Sequence, residues 1–157
     1  MAHRLRVLVD STYILPAFGI EVEGLTKTDL EKLDELHYLG RVTFYYSDII
    51  WIEVIPKVIK EYEKAGFKPS PIMINEVALM LQSTFKKMEA GSQAIVEALK
   101  LRQLGHRDMI DNLLYGIALE NDLYLLTMDV EFKKFLSSHN LKHEILITHR
   151  KLLNMLT

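Results

Sequence analysis

Four acidic residues stand beside strongly apolar runs. Asp10 follows Val7-Leu8-Val9, Glu53 lies inside the apolar stretch 49–55, Asp111 precedes the stretch 113–118, and Asp129 comes just after Leu125-Leu126-Thr127. A carboxylate set against core-forming segments loses hydration, and several of them together repel one another. A divalent cation offsets both costs. The chain has no cysteine, so thiol nucleophiles, disulfides, iron–sulfur clusters and thiolate-bound zinc are excluded. The remaining hard oxygen donors suit Mg2+ or Mn2+. The chemistry that most often asks for such a set is phosphodiester hydrolysis, in which cations acidify a water and stabilise charge on the leaving oxygen.

Each acid also has a plainer employment. Asp10 can turn the chain, Asp129 can cap a helix through Phe132, Asp111 is a first-turn acid favoured by the helix dipole, and Glu53 can pair with Lys57 four residues on. Asp108 is read as the cap of the helix that carries Asp111, in preference to a ligand role.

The elements that must position these groups follow from periodicity and punctuation. Leu5 to Val9 is a short, partly β-branched run that reads as a buried strand with Asp10 at its carboxyl end. Thr28 and Glu31 read as a capping box for a helix bearing Leu30, Leu33 and Leu36 and closed by Gly40. Val42 to Tyr46 is a second strand, after which Ser47 caps a helix with Glu53 near its second turn and a bend expected at Pro56. Ser70-Pro71 starts a long amphipathic helix whose face runs from Met73 to Met88, read as core. Gly91-Ser92 opens another, bearing Ile95, Ala98 and Leu99, which Gly105 ends. Asp108 then starts the helix through Ala118. Leu123 to Thr127 and Glu144 to Ile147 are the remaining strands, each followed by a helix.

Strands alternating with helices imply an α/β fold, a three-layer α/β/α sandwich with a mainly parallel sheet of about four to five strands. Ligands of such sheets bind outside the carboxyl ends of the strands. Asp10 and Asp129 are expected there, with Glu53 and Asp111 approaching from the amino-terminal turns of two helices.

Composition narrows the class further. The chain has 157 residues, 49% of them apolar and 25% charged, which suits one globular domain over 1–157. A net charge of −2 gives no global field for nucleic acid, so any contact to a phosphate backbone must come from local cations. Lys86-Lys87, Arg102, Arg107 and Lys133-Lys134 are the candidates, with His106 beside Arg107. The six histidines form no zinc-binding pair on a helix and are read as surface residues. No apolar run is long enough to span a membrane, and the apolar start meets Asp10 too soon for a signal peptide, so a cytoplasmic protein is expected. Neither a G-x-G-x-x-G nor a Walker A motif is present.

Taken in order, the segments VLVDST, DNLLYGIA and LLTMDVEF resemble the PIN-domain nucleases, with Asp111 and Asp129 separated by 18 positions as that family separates them. The resemblance runs from Val7 to about Ile147. It implies Asp10, Glu53, Asp111 and Asp129 as the catalytic, metal-holding acids, with Ser11, Thr127 and Asp108 in supporting roles around them. It further implies an RNA endonuclease dependent on Mg2+ or Mn2+ that leaves a 5′-phosphate and a 3′-hydroxyl. Small members are similar to the toxins of VapBC-type toxin–antitoxin pairs, which makes an antitoxin protein and a homodimer the expected partners beside RNA. Alternatives are a nuclease of ribosomal RNA maturation and a noncatalytic PIN-like scaffold for RNA or protein. A haloacid-dehalogenase-type phosphohydrolase is set aside because its D-x-D needs an acid at position 12, which is Thr12.

Overall fold

The computed structural model describes residues 3–157. Its centre is β1 (Leu5–Val9), where Val7, Leu8 and Val9 are all buried. The strand is flanked on one side by β2 (Val42–Tyr46), with Val7 opposite Phe44, and on the other by β4 (Tyr124–Leu126), with Val9 opposite Leu126. Two short edge strands complete the sheet: β3 (Lys86–Lys87) beside β2, and β5 (Leu146–Ile147) beside β4. All five strands are parallel, in the order β3-β2-β1-β4-β5, with helices on both faces. The order reverses about β1, so the crevice at the carboxyl ends of β1 and β4 is a topological switch point.

Among the described residues seven α-helices connect and cover the strands: α1 (Lys27–Tyr38), α2 (Trp51–Lys64), α3 (Pro71–Thr84), α4 (Ser92–Gln103), α5 (Met109–Glu120), α6 (Val130–Ser138) and α7 (His149–Leu156). Among the described residues no helix is long and apolar enough to cross a membrane. Short 3-10 turns at Ser11–Tyr13, Leu15–Phe18 and Asp48–Ile50 fill the junctions.

Several local expectations shift. The capping box of α1 is Thr26 with Asp29, whose side chain accepts from the Thr26 amide at 2.9 Å, and not Thr28 with Glu31. Both pairs satisfy the motif, but Glu31 lies inside the helix and faces Lys27 at 3.9 Å. Ser47 stands at the start of the 3-10 turn before α2, yet its hydroxyl makes no capping bond. Helix α2 continues through Pro56, which leaves the Ile52 carbonyl without its intrahelical donor.

The face from Met73 to Met88 is not a continuous core stripe. Helix α3 ends at Thr84 and buries only Leu81 fully, while Lys86-Lys87 turn into the edge strand. A lysine pair suits an edge, where charge discourages pairing with another chain, and its lack of any apolar period hides it from pattern reading.

In α4 the buried positions are Ala94, Ala98 and Leu101, whereas Ile95 and Leu99 are more than half exposed. The small residues face α5 because the two helices pack closely. Gly116 of α5 lies against the backbone of Ala94, and a Cβ added there would lie 2.9 Å from the Ala94 Cα. That approach fixes α5, and therefore the turn that carries Asp108 and Asp111. Gly116→Ala is expected to lower stability by about 1–3 kcal/mol through forced separation of α4 and α5, read as a lower urea midpoint. An unchanged midpoint would mean that this contact does not set the helix position.

Candidate active site

Asp10 stands one residue beyond β1, and its amide donates to the Leu126 carbonyl at 3.2 Å, tying the ends of β1 and β4 together. Its side chain accepts from the Thr12 amide at 3.0 Å and so starts the 3-10 turn that follows. Asp129 caps α6, accepting from the Phe132 amide at 2.9 Å, while its own amide donates to the Thr127 hydroxyl at 3.1 Å. Asp108 caps α5 by accepting from the Asp111 amide at 3.0 Å, and Asp111 follows in the first turn. Glu53 lies in the first turn of α2, where it accepts from the Ser11 hydroxyl at 2.5 Å and from Lys57 Nζ at 2.7 Å.

The plainer roles read from the sequence are therefore occupied: Asp10 turns the chain, Asp108 and Asp129 cap helices, and Glu53 pairs with Lys57. Those roles do not separate the acids from one another. Asp10, Glu53, Asp108, Asp111 and Asp129 line one pocket of about 310 Å³ at the carboxyl end of the sheet, with Ser11, and Lys57 is the one cation on its wall. Lys57 was legible only as a partner for Glu53, and its i+4 spacing is the signal that found it.

The electrostatics show how poorly that pocket tolerates its own charge. Burial pushes the Asp10 carboxyl up to about 6, with Glu53 adding to the rise, while the Thr127 side chain, the Thr12 amide and Lys57 pull against it. Asp111 is pushed up to about 8, first by burial and then by the charges of Asp108, Asp129, Asp10 and Glu53. A carboxyl that keeps its proton at neutral pH in a ring of carboxylates marks a place that a cation would relieve.

Among the described residues no group of three or more such side chains is drawn tightly enough to hold an ion as it stands. The capping bonds and the Lys57 pair hold Asp108, Asp129 and Glu53 in separate local arrangements. The donor set itself, carboxylates and hydroxyls with no sulfur, fits Mg2+ or Mn2+. Asp10, Asp111 and Asp129 fit it best, because Glu53 already shares one oxygen between Ser11 and Lys57.

Histidines are not all on the surface as expected. His149, at the start of α7, is 2% exposed; its Nδ1 pairs with the Tyr13 hydroxyl at 2.9 Å, and its Nε2 lies 3.4 Å from Asp29. No apolar period announces it, since it precedes the helical pattern of α7. His106 stacks on Phe132 at 4.4 Å and pairs with Asn112 at 2.6 Å, so it packs the helices behind the pocket. Lys87 pairs with Asp48 at 2.5 Å.

The five-stranded parallel sheet and its flanking helices define a PIN-domain fold. Two solved structures similar to this chain carry that fold. One is VapBC2 from Rickettsia felis bound to a DNA fragment from their promoter, with a TM-score of 0.61 and 15% identity over 92% of this chain and 98% of that one. The other is VapC20 of Mycobacterium tuberculosis, a sarcin–ricin loop cleaving toxin, with a TM-score of 0.57 and 10% identity over 87% of this chain and 97% of that one. Neither protein-family models nor curated proteins give a match.

Crowding of the acids gives a direct expectation for the protein in chelator. A carboxyl whose folded pKa is raised destabilises the folded state above its unfolded value, so this cost is absent near pH 4 and grows as pH rises towards about 8 for Asp111. Asp111→Asn is therefore expected to raise the melting temperature at pH 8, by roughly 2–4 °C for each kcal/mol relieved, and to change it little at pH 4. Destabilisation at pH 8 would contradict the crowding.

Proposed function

We propose that this chain is a single-domain, metal-dependent ribonuclease of the PIN class that hydrolyses RNA phosphodiester bonds, and that it acts in the cytoplasm as the toxin of a VapBC-type pair with an antitoxin partner. The observation that carries this reading is the convergence of Asp10, Glu53, Asp108, Asp111 and Asp129 on one pocket at the carboxyl end of the sheet, where burial and the neighbouring charges push Asp111 up. The fold likeness to two proteins whose names include VapBC2 and VapC20 supports it, as does the sarcin–ricin loop cleavage ascribed to the second.

Asp10, Asp111 and Asp129 would hold Mg2+ or Mn2+, with Glu53 completing the set. When bound, the cation supplies a Lewis acid that polarises a phosphoryl oxygen and lowers the pKa of water. The chain's own contribution is position. Thr127 accepts from the Asp129 amide, and its side chain also favours the charged form of Asp10, so one residue acts on the acids of both strand ends. Ser11 and Lys57 fix Glu53 from two sides. Lys57 also places one positive charge at the mouth of a negative pocket, where an incoming phosphate needs it. Asp111 keeps a proton on its carboxyl oxygen until a positive charge compensates its neighbours.

One observation favours a second reading, a noncatalytic PIN-like scaffold: the acids form no ready-made ion cage. Activity separates the two. Asp10→Asn, which keeps shape and removes charge, is expected to bring manganese-dependent cleavage of a generic RNA to background with the circular-dichroism spectrum unchanged. Asp108→Asn, which weakens a cap beside the site, is expected to cost only about 10-fold. Wild-type protein without cleavage in manganese would favour the scaffold, and undiminished cleavage by Asp10→Asn would remove that residue from the chemistry.

A further inference from the structure

The carboxylate pocket continues, on its β5 side, into a second groove of about 470 Å³, and the two share Met128 and Asp129. This groove runs past the end of β5 between the starts of α6 and α7, and it carries Lys133, Lys151 and His143, with Glu144 the one acid besides Asp129. Lys133 Nζ donates to the Leu146 carbonyl at 3.1 Å, which fixes the ammonium while leaving two of its three donors for a ligand. Neither Lys133 nor Lys151 forms an ion pair among the described residues, and His143 faces Glu144 at 3.7 Å.

Lys57 holds Glu53, and Lys87 of the edge strand holds Asp48. Three other cavities, under α3, beside Gly19 and Phe67, and between Asp29 and Thr157, share no lining residue with the carboxylate pocket. A polyanionic strand whose scissile phosphate sits among acids must find positive charge immediately beside them.

Resting on the ribonuclease reading above, we propose that this groove is the path of the RNA strand away from the cleavage point, with Lys133 and Lys151 each holding a backbone phosphate adjacent to the scissile one. The strand then runs over the carboxyl ends of β4 and β5 and away from β2 and β3. The ligand is the phosphodiester backbone itself, so the groove supplies affinity and direction without reading sequence.

The test is binding of a labelled, mixed-sequence single-stranded oligoribonucleotide in manganese, followed by fluorescence anisotropy across a salt series in the Asp10→Asn background. Adding Lys133→Gln and Lys151→Gln is expected to weaken binding about 10-fold or more and to flatten the log–log salt slope by about 1.4, at roughly 0.7 per lost contact on a single strand. Lys133→Arg with Lys151→Arg should preserve the slope, and Lys27→Gln with Lys64→Gln, on surfaces outside the groove, should leave affinity unaltered. An unchanged slope in the glutamine pair, or an equal loss in the Lys27 and Lys64 pair, overturns the path while leaving cleavage intact. A background protein that shows no salt-dependent affinity at all overturns both the path and the RNA reading, whereas cleavage persisting in Asp10→Asn counts against the site assignment alone.

Discussion

Repulsion among Asp10, Glu53, Asp108, Asp111 and Asp129 is the constraint around which the carboxyl end of the sheet is arranged. Five acids share a pocket with one lysine, and the backbone supplies much of what keeps them there. Glu53 and Asp111 lie in first turns and Asp108 and Asp129 at caps, so α2, α5 and α6 all direct their amino ends at one crevice. Each such terminus carries roughly half an elementary positive charge in its unpaired amides. Parallel strand order is what makes this convergence possible, because every β-to-helix junction then opens on the same edge. Compensation is incomplete at Asp111, and its carboxyl is the one driven to about 8.

Capping and metal binding are commonly weighed as rivals, and here they are compatible. A carboxylate offers two oxygens and about four lone-pair sites, and in Asp129 and Asp108 a single oxygen serves the helix amide. On the reading proposed above, the cap would fix the rotamer that faces the pocket and leave the second oxygen of Asp129 for a cation. Glu53 differs, since Ser11 and Lys57 converge on the same oxygen and neutralise it locally. On the proposed reading, any contribution of Glu53 to a cation would require Lys57, nearly half exposed, to swing away.

The sheet and the site were legible to different depths, for physical reasons. Leu5 to Val9 and Val42 to Tyr46 are β-branched or aromatic runs with no helical period, and both strands lie where pattern reading puts them. The acids were visible because charge beside an apolar run is costly and therefore informative. What stayed hidden was long-range or doubly satisfied. Lys86-Lys87 form a strand only because Tyr45 and Tyr46 offer a free edge. Thr26 and Thr28 both fit a capping box, and only the helix start decides between them. His149 is buried by contacts with Tyr13, from the far end of the chain, and no local pattern encodes such a pairing.

That pairing bears on how the Asp10 turn keeps its shape. Tyr13, three residues on from Asp10, accepts from the His149 amide at 3.2 Å and meets the ring at Nδ1. Burial raises the Tyr13 phenol and lowers the His149 imidazole, so both stay neutral at ordinary pH. The phenol and Nδ1 share one hydrogen bond, and Nε2 lies 3.4 Å from Asp29. Asp29 is in turn the capping-box acid of α1. The turn after β1 is thus pinned to α7 and, through the ring, brought beside α1 by uncharged groups. A neutral anchor exerts no Coulomb force of its own on the carboxylates, so it can hold Asp10 in place whatever charge state the pocket adopts.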